Sequence, residues 1–437
     1  MQKRKGIALV WLRNDLRATD QQSLYQAATK HEQVITYYAF DPAHFTTTEW
    51  GFKKIEAHRA EFLIETVTAL KKELAAHNIS LIIEQESPHN GLPKWVGELG
   101  VTDLYLQKEW TTEEREEEEK VFRNLPPQIN IHSHYDQFLF HPEDLPMQVE
   151  DLPEVFTAFR KKCEKYSSVR RCLPSLPTMA NENRLEKTFH VPSIKELGLS
   201  PVDKHPHSAF PFAGGSKAAQ ERIEHYFWKT EKLSFYKQTR NGLIGIDYSA
   251  KLSAWLANGS ISAREVYWEV IEYEKQIKKN QSTYWLIFEL LWRDYFKYIS
   301  LKHQDKLFHL GGILAREYDW KNSSRTFQSW WEGTTPEPFV NANMIELNKT
   351  GWMSNRGRQN VASYFAKNLL MDWRMGAAYF EAFLIDYDVH SNYGNWLYVA
   401  GVGNDPRDRK FNVRLQAERY DEQGKFQRLW NQKSLFE

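Results

Sequence analysis

Two stretches of this 437-residue chain hold side chains with more chemistry than packing requires. The first runs from Gly351 to Asn412. It sets Asn355, Arg356, Arg358, Asp386, Asp388, Asn392 and Asn395 among Trp352, Trp373, Trp396 and many apolar neighbours. A plain helical bundle needs no such amides, and an amide taken out of water costs free energy unless it finds a partner. The run is expected to enclose something planar and polar, and a flavin meets that description. The second stretch runs from Tyr236 to Arg264. There Ser249, Lys251 and Ser253 offer two hydroxyls and an ammonium just ahead of the apolar AWLA. At a helix start such a cluster suits a diphosphate, because main-chain N–H groups and the helix dipole favour anions. An ordinary N-cap beside a surface lysine is the competing reading.

Glu289 and Arg293 stand four apart in YWLIFELLWRDYF. One reading is an i,i+4 ion pair, worth roughly 0.2–0.5 kcal/mol to the helix. The other starts from the aromatic and apolar character of nearly the whole segment. A carboxyl partly buried there has a raised pKa and can donate a hydrogen bond to a substrate carbonyl. No metal is expected. DYDVHSNYGN presents Asp386, Asp388 and Asn392 without the glycine and closing acid of a calcium loop. The histidines form neither HxxxH nor HExxH, which leaves His390 a structural residue. Cys163 and Cys172 cannot furnish four sulfur ligands, and two unpaired thiols suit a reducing, cytoplasmic setting.

Three regions must position these groups. Residues 1–140 alternate strand-like runs (GIALVWL, VITYYAF, SLIIEQ, DLYLQ, INIHSHY) with amphipathic segments such as Lys53–His77, the pattern of a parallel sheet with helices on both faces. No GxGxxG follows the first strand, so the domain is nucleotide-binding-like without the dinucleotide fingerprint. Its basic-then-apolar start is too short for a signal peptide and reads as a buried first strand. The acidic run Glu113–Lys120 reads as a solvated helix face. Residues 141–215 are proline-rich, with a helix near Leu152–Lys165, and read as a long linker wrapped over the surface. Residues 216–437 are expected to be all helical, with a capping box at Ser262 and Glu265 and helices beginning near Asn355 and Asp372. No apolar run is long enough to span a bilayer. Charge balances at 57 basic and 57 acidic residues, but acid prevails over 1–140 and base thereafter, which turns any phosphate-bearing partner toward the later part.

WLRNDLRATD, LPEVFTAFRK, FAGGSKAA, TRNGLIGIDYSAKLS, FELLWRDYF, NMIELNKTGWMSNRGRQNVAS and DYDVHSNYGNWLYVAGVGNDPR occur in this order from end to end. In that order the chain resembles the cryptochrome-DASH branch of the photolyase/cryptochrome flavoproteins. The resemblance implies FAD held in a U shape in the helical domain. Tyr236 and the segment Ser249, Ala250, Lys251, Leu252, Ser253 would hold its phosphates, with Arg293 in the same site. Arg358 and Asp386 would pair against the isoalloxazine, Asp388 would meet its pyrimidine edge and Asn392 would face N5. Trp396, Trp373 and Trp320 match the family's electron relay, proximal to distal, with a one-residue gap at Trp320. The reaction implied is light-driven electron donation from reduced FAD to a cyclobutane pyrimidine dimer, which splits and returns the electron. The dimer must first leave the base stack, and the branch prefers single-stranded DNA.

Glu289, Trp292, Asn355 and Tyr398 would form the dimer pocket, and Arg356, Arg407, Arg409, Lys410 and Arg414 could follow the phosphates. Glu109 in LQKEW matches the residue that contacts a 5,10-methenyltetrahydrofolate antenna. A monomer is expected. The alternative is a non-enzymatic blue-light photoreceptor acting through DNA or a regulatory partner, although the long tail of signalling members is not expected after Trp430. The chain departs from the pattern at Thr19 and Gln21, where members read LRxHDN, and at Leu397, where WQY is common. Leu397 is expected to remove a polar contact beside the pocket.

Overall fold

The computed structural model describes residues 3–405, 407–408 and 410–432. Five strands, β1 (Arg4–Trp11), β2 (His31–Ala39), β3 (Ser80–Glu84), β4 (Val101–Gln107) and β5 (Asn130–His134), form one sheet in the order β3-β2-β1-β4-β5. Every pairing is parallel. The helices α1 (Gln22–Lys30), α2 (Ala57–Ala76), α3 (Pro88–Leu99) and α4 (Thr112–Asn124) connect the strands. The inner strands are covered on both faces, which is why their apolar runs are nearly continuous rather than alternating. The chain winds from β1 through β2 to β3, then returns to the other side of β1 with β4. This reversal opens a crevice beyond the carboxyl ends of β1 and β4, the usual place for a ligand in an open α/β sheet.

Between β5 and the helical region lies α5 (Phe156–Tyr166). The surrounding segment does more than wrap the surface. Leu176, Met179, Phe189 and Leu197 are buried in the sheet's core, while Phe156, Phe159 and Phe210 are buried in the helical core. Its prolines exclude long helices, yet its apolar side chains have faces to fill on both sides.

The helical region comprises α6 (Ser216–Ile223), α7 (Tyr236–Thr239), α8 (Ser253–Ala257), α9 (Ala263–Gln276), α10 (Gln281–His303), α11 (Ser324–Trp331) and α12 (Pro338–Thr350). It continues with α13 (Asn355–Ser363), α14 (Trp373–Phe383), α15 (Val389–Ala400), α16 (Val413–Tyr420) and α17 (Lys425–Asn431). The capping box at Ser262 and Glu265 is present, and Asp372 caps α14. α10 is the longest, and its aromatic circumference is explained by neighbours on several sides, α7, α9 and α15 among them.

A buried four-member ion cluster ties sheet to helices: Arg17 to Asp136 at 2.7 Å, Arg264 to Asp136 at 2.7 Å and Arg264 to Asp20 at 2.9 Å. The off-pattern residues brace this corner. Gln21 caps α1 and donates to Asp15 at 2.6 Å, and Thr19 donates to Glu265 at 2.9 Å. The acidic helix α4 is less solvated than its composition suggests, since Glu118 pairs with Arg13 at 2.9 Å and Glu117 with His89 at 2.8 Å. Among the described residues no helix is long and apolar enough to cross a membrane, and no group of three or more His, Cys, Asp or Glu could hold a metal ion.

Candidate active site

Two cavities open side by side in the helical region. The inner one, about 270 Å³, is lined by Tyr236, by Ser249 through Ser253, and by Arg293, Arg358, Asp386 and Asp388. The outer one, about 460 Å³, is lined by Glu289, Trp292, Asn355, Tyr398, Arg240 and Gln359, among others. Glu289, Asn355, Arg240, Arg293 and Ser391 border both.

The inner cavity has a charged floor. Arg358, on α13, holds both oxygens of Asp386 at 2.9 and 3.0 Å, and Ser253 donates to the same carboxylate at 2.6 Å. Asp388 caps α15 and pairs with Lys297 of α10 at 2.8 Å. Burial opposes ionisation of Asp388, but Lys297, His390 and Arg293 outweigh it and hold the carboxyl well below its ordinary range. Lys251 is not the surface lysine of an N-cap. Only 3% exposed, its ammonium lies over the rings of Tyr248 and Trp352 with no hydrogen-bond partner. Burial pushes its pKa well down, against the pull of Glu346, whose own buried carboxyl is pushed up to about 8. α8 is a single five-residue turn, so its dipole is weak. What favours an anion is the main chain before it. Lys251 is left-handed (φ 63°) and Leu252 right-handed (φ −78°, ψ −8°), the alternation that turns successive N–H groups to one side. The N–H groups of Lys251, Leu252 and Ser253 reach no acceptor among the described residues. Unspent amides and a buried unpartnered ammonium fit a ligand rich in acceptor oxygens.

In the outer cavity Glu289 does not pair along its own helix. Its partner is Arg240, from the TRNGLIG segment, at 2.6 Å. Arg293 turns the other way and donates to the carbonyls of Gln137 and Leu256 at 2.6 and 3.2 Å. Both residues border the cavities, but their side chains diverge: Glu289 reaches across to Arg240, while Arg293 reaches main-chain carbonyls of the sheet-to-helix junction and of α8. Burial raises the pKa of Glu289 while Arg240 pulls it back. Trp292 and Tyr398 meet edge-on at 6.1 Å, with Trp292 stacked on Phe156 at 3.7 Å.

The amides fall into two classes. Asn355 and Asn395 are exposed at the mouth of the cavity, Asn395 donating to the Ser391 carbonyl at 2.7 Å, so burial does not explain their presence. Asn392 is buried, donates to the Ala377 carbonyl at 3.0 Å, and lines neither cavity. Leu397 is also away from the pocket. It is 1% exposed and packs against Gly312 and Gly403 in the core, because its side chain leaves α15 about 100° around the helix from that of Tyr398. The expected loss of a pocket contact is therefore not what this substitution does.

Of the three tryptophans expected to form a relay, Trp396 and Trp373 are buried and Trp320 is nearer the surface. Trp396 is buried with its ring against Gly376 of α14, Trp373 begins that helix and donates to the Leu310 carbonyl at 3.0 Å, and Trp320 is half-buried. Asp372 donates to the Lys321 carbonyl at 3.0 Å, bringing the Trp320 segment beside the start of α14. No direct ring contact joins the three. Trp396 instead meets Trp330, Phe365 and Phe380.

Glu109 stands two residues past β4, in the crevice at the sheet's reversal. It accepts from Gln107 at 2.8 Å, and burial, against the pull of Arg13 and Lys297, pushes its carboxyl up to about 7. Of the basic residues expected to follow phosphates, Arg407 and Lys410 are exposed, Arg414 reaches Glu337 at 3.4 Å, and Arg356 bonds Gln359 and Asn241. Arg409 lies outside the described residues. Sequence reasoning missed Arg240 and Gln359, which line the outer cavity, Lys297, which pairs with Asp388, and Glu346, whose carboxyl acts on Lys251. Arg240 lay inside a quoted motif, but its carboxylate partner is 49 residues away and nothing local announces the pair.

Comparison with known proteins accords with this architecture. Residues 8–180 match the DNA photolyase family, and residues 285–433 match the FAD-binding domain of DNA photolyase. The chain is 44% identical to cryptochrome DASH of Gloeobacter violaceus, over 97% of this chain and 85% of that one. It is 43% identical to cryptochrome DASH of Xenopus laevis, over 97% and 82%. A Synechocystis cryptochrome superposes with a TM-score of 0.93 at 41% identity, over 98% of this chain and 89% of that chain. FAD is thus the cofactor, and the chain belongs to the cryptochrome-DASH branch of the light-dependent photolyase/cryptochrome flavoproteins.

Proposed function

We propose that this protein repairs cyclobutane pyrimidine dimers in single-stranded DNA. The observation that carries the reading is the juxtaposition of Glu289, Asn355, Trp292 and Tyr398 around one cavity that shares a wall with the Arg358–Asp386 cavity. In this reading the residues of the inner cavity would hold FAD, whose reduced, light-excited form would lend the dimer one electron and take it back once both bonds of the cyclobutane ring have opened. The protein's task is placement. Trp292 and Tyr398 flank the two bases, while the Asn355 amide and the Glu289 carboxyl hydrogen-bond their polar edges. The raised pKa of Glu289 suits its carboxylic O–H to donate a hydrogen bond to a base carbonyl. Arg240, already on Glu289, steadies that side chain from the rim. Arg407 and Lys410 would track the phosphates by charge. Trp396, Trp373 and Trp320 would refill the cofactor with electrons. Glu109 would hold the pterin of a methenyltetrahydrofolate antenna in the crevice, whose carboxyl, flanked by Gln107 and Gln137, suits an amide-bearing ring.

The test is repair of dimer-containing oligo(dT) by purified, reduced protein under near-UV light, followed by recovery of thymine absorbance. Protein that binds FAD yet leaves these dimers intact would be a photoreceptor and not a repair enzyme. Glu289→Ala should keep the flavin and lose most repair. Loss of FAD in that variant would make Glu289 a structural residue.

A further inference from the structure

Outside the lining of the inner cavity, packed on the loop that forms part of its wall, lies an arginine whose hydrogen bonds all go to that loop. Arg222, on α6, is 2% exposed and does not line the cavity. Its Nε donates to the Ala250 carbonyl at 3.0 Å, and one Nη donates to the carbonyls of Ser249 at 2.9 Å and Ile246 at 3.1 Å. The other Nη reaches the Asp247 carboxylate at 2.7 Å. Asp247 is itself pinned by Lys232 at 2.5 Å and His225 at 3.4 Å. Phe212 and Tyr226 sandwich the guanidinium.

A trans peptide is planar, so its N–H points opposite to its C=O. Holding the carbonyls of Ser249 and Ala250 from behind therefore turns the N–H groups of Ala250 and Lys251 forward. The left-handed Lys251 then carries Leu252 and Ser253 into the same alignment. A carbonyl rotated into the cavity would instead present negative charge to a phosphate.

We propose that Arg222 is a positioning residue for the cofactor: by collecting three carbonyls of the 246–250 loop it forces the following amides toward the diphosphate. The inference rests on the assignment of FAD to this cavity. Lysine in its place has no planar fork and spans fewer of the three carbonyls. Removal of the guanidinium leaves those carbonyls without their donor and frees the peptides to rotate.

The experiment compares FAD with riboflavin, which lacks the diphosphate, by fluorescence quenching on full-length apoprotein in the dark. Arg222→Gln should weaken FAD binding at least tenfold and leave riboflavin binding unchanged, with Arg222→Lys in between. Inorganic pyrophosphate should compete with FAD for the wild type and much less for Arg222→Gln. Parallel loss of FAD and riboflavin would mean a general structural role, and unchanged FAD affinity would also overturn the proposal. If Arg222→Gln does not fold, Asp247→Asn, which loosens the guanidinium but removes none of its carbonyl contacts, should show the same FAD-selective loss in milder form. Its absence would refute the idea. Asp386→Asn separates the two levels. If it abolishes FAD binding while Arg222→Gln does not, only the role of Arg222 fails. If neither changes FAD binding, the assignment of the cavity fails.

Discussion

Glu109 offers a quantitative test of the crevice beside the sheet. Its carboxyl is moved from 4.5 to about 7, chiefly because it is buried. Keeping it ionised in the folded protein then costs about 3 kcal/mol, at about 1.4 kcal/mol for each tenfold change in proton affinity. Between those two pH values the folded chain holds a proton that the unfolded chain has released. The contribution of Glu109 to stability therefore falls as pH rises through this window and levels off above about pH 7. Glu109→Gln removes the proton and with it the slope. Urea unfolding of the full-length apoprotein, followed by tryptophan fluorescence, should find the glutamine variant's relative stability rising with pH. The difference should change by about 2–3 kcal/mol between pH 5 and pH 8. Any pH-independent effect of the swap, such as a changed contact with Gln107 or Gln137, cancels in that comparison. Parallel profiles for the two proteins would refute the argument. A pterin donating N–H groups to the carboxylate would likewise bind more tightly as pH rises toward 7, and a flat folate affinity would count against Glu109 as its contact.

Three further outcomes are expected. Asp386→Asn leaves Arg358 without its carboxylate, a change that costs about 2–5 kcal/mol in buried charge pairs, so FAD affinity measured by flavin fluorescence should fall at least tenfold. Leu397→Gln buries an amide among Gly312, Gly403 and the surrounding core, and should lower thermal stability by about 1–3 kcal/mol without improving repair per folded molecule. Improved repair at unchanged stability would return Leu397 to the pocket. Trp396→Phe should retain FAD but lose most light-driven reduction of it, read as persistence of the oxidised flavin's absorbance under illumination. An unchanged rate would direct attention to the rings around Trp330.

How much of this was legible beforehand depended on how local each signal is. The five strands, the capping box and the two helix starts near Asn355 and Asp372 follow from periodicity and capping chemistry, which act over a few residues. Pairing did not. Glu289 looks toward Arg293 when only spacing is considered, yet its partner Arg240 comes from the turn that follows α7. Asn355 and Asn395 looked like buried amides because their neighbours in sequence are apolar, but both face outward at a cavity mouth. Leu397 stood next to Tyr398 in sequence yet points into the core, since consecutive helical residues are turned about 100° apart and do not share a face.

The order of amino acids alone determined the α/β region, the helical region and the presence of a flavin-type constellation between Gly351 and Asn412. Each of these rests on composition, period or motif, and all are carried along the chain. Tertiary structure alone decided which charges meet, which side of the 246–253 loop faces the cavity, and that Arg222 lies behind it. These depend on contacts between segments tens of residues apart, and on the direction in which a planar peptide is turned. That direction is set by whatever packs against the loop from outside.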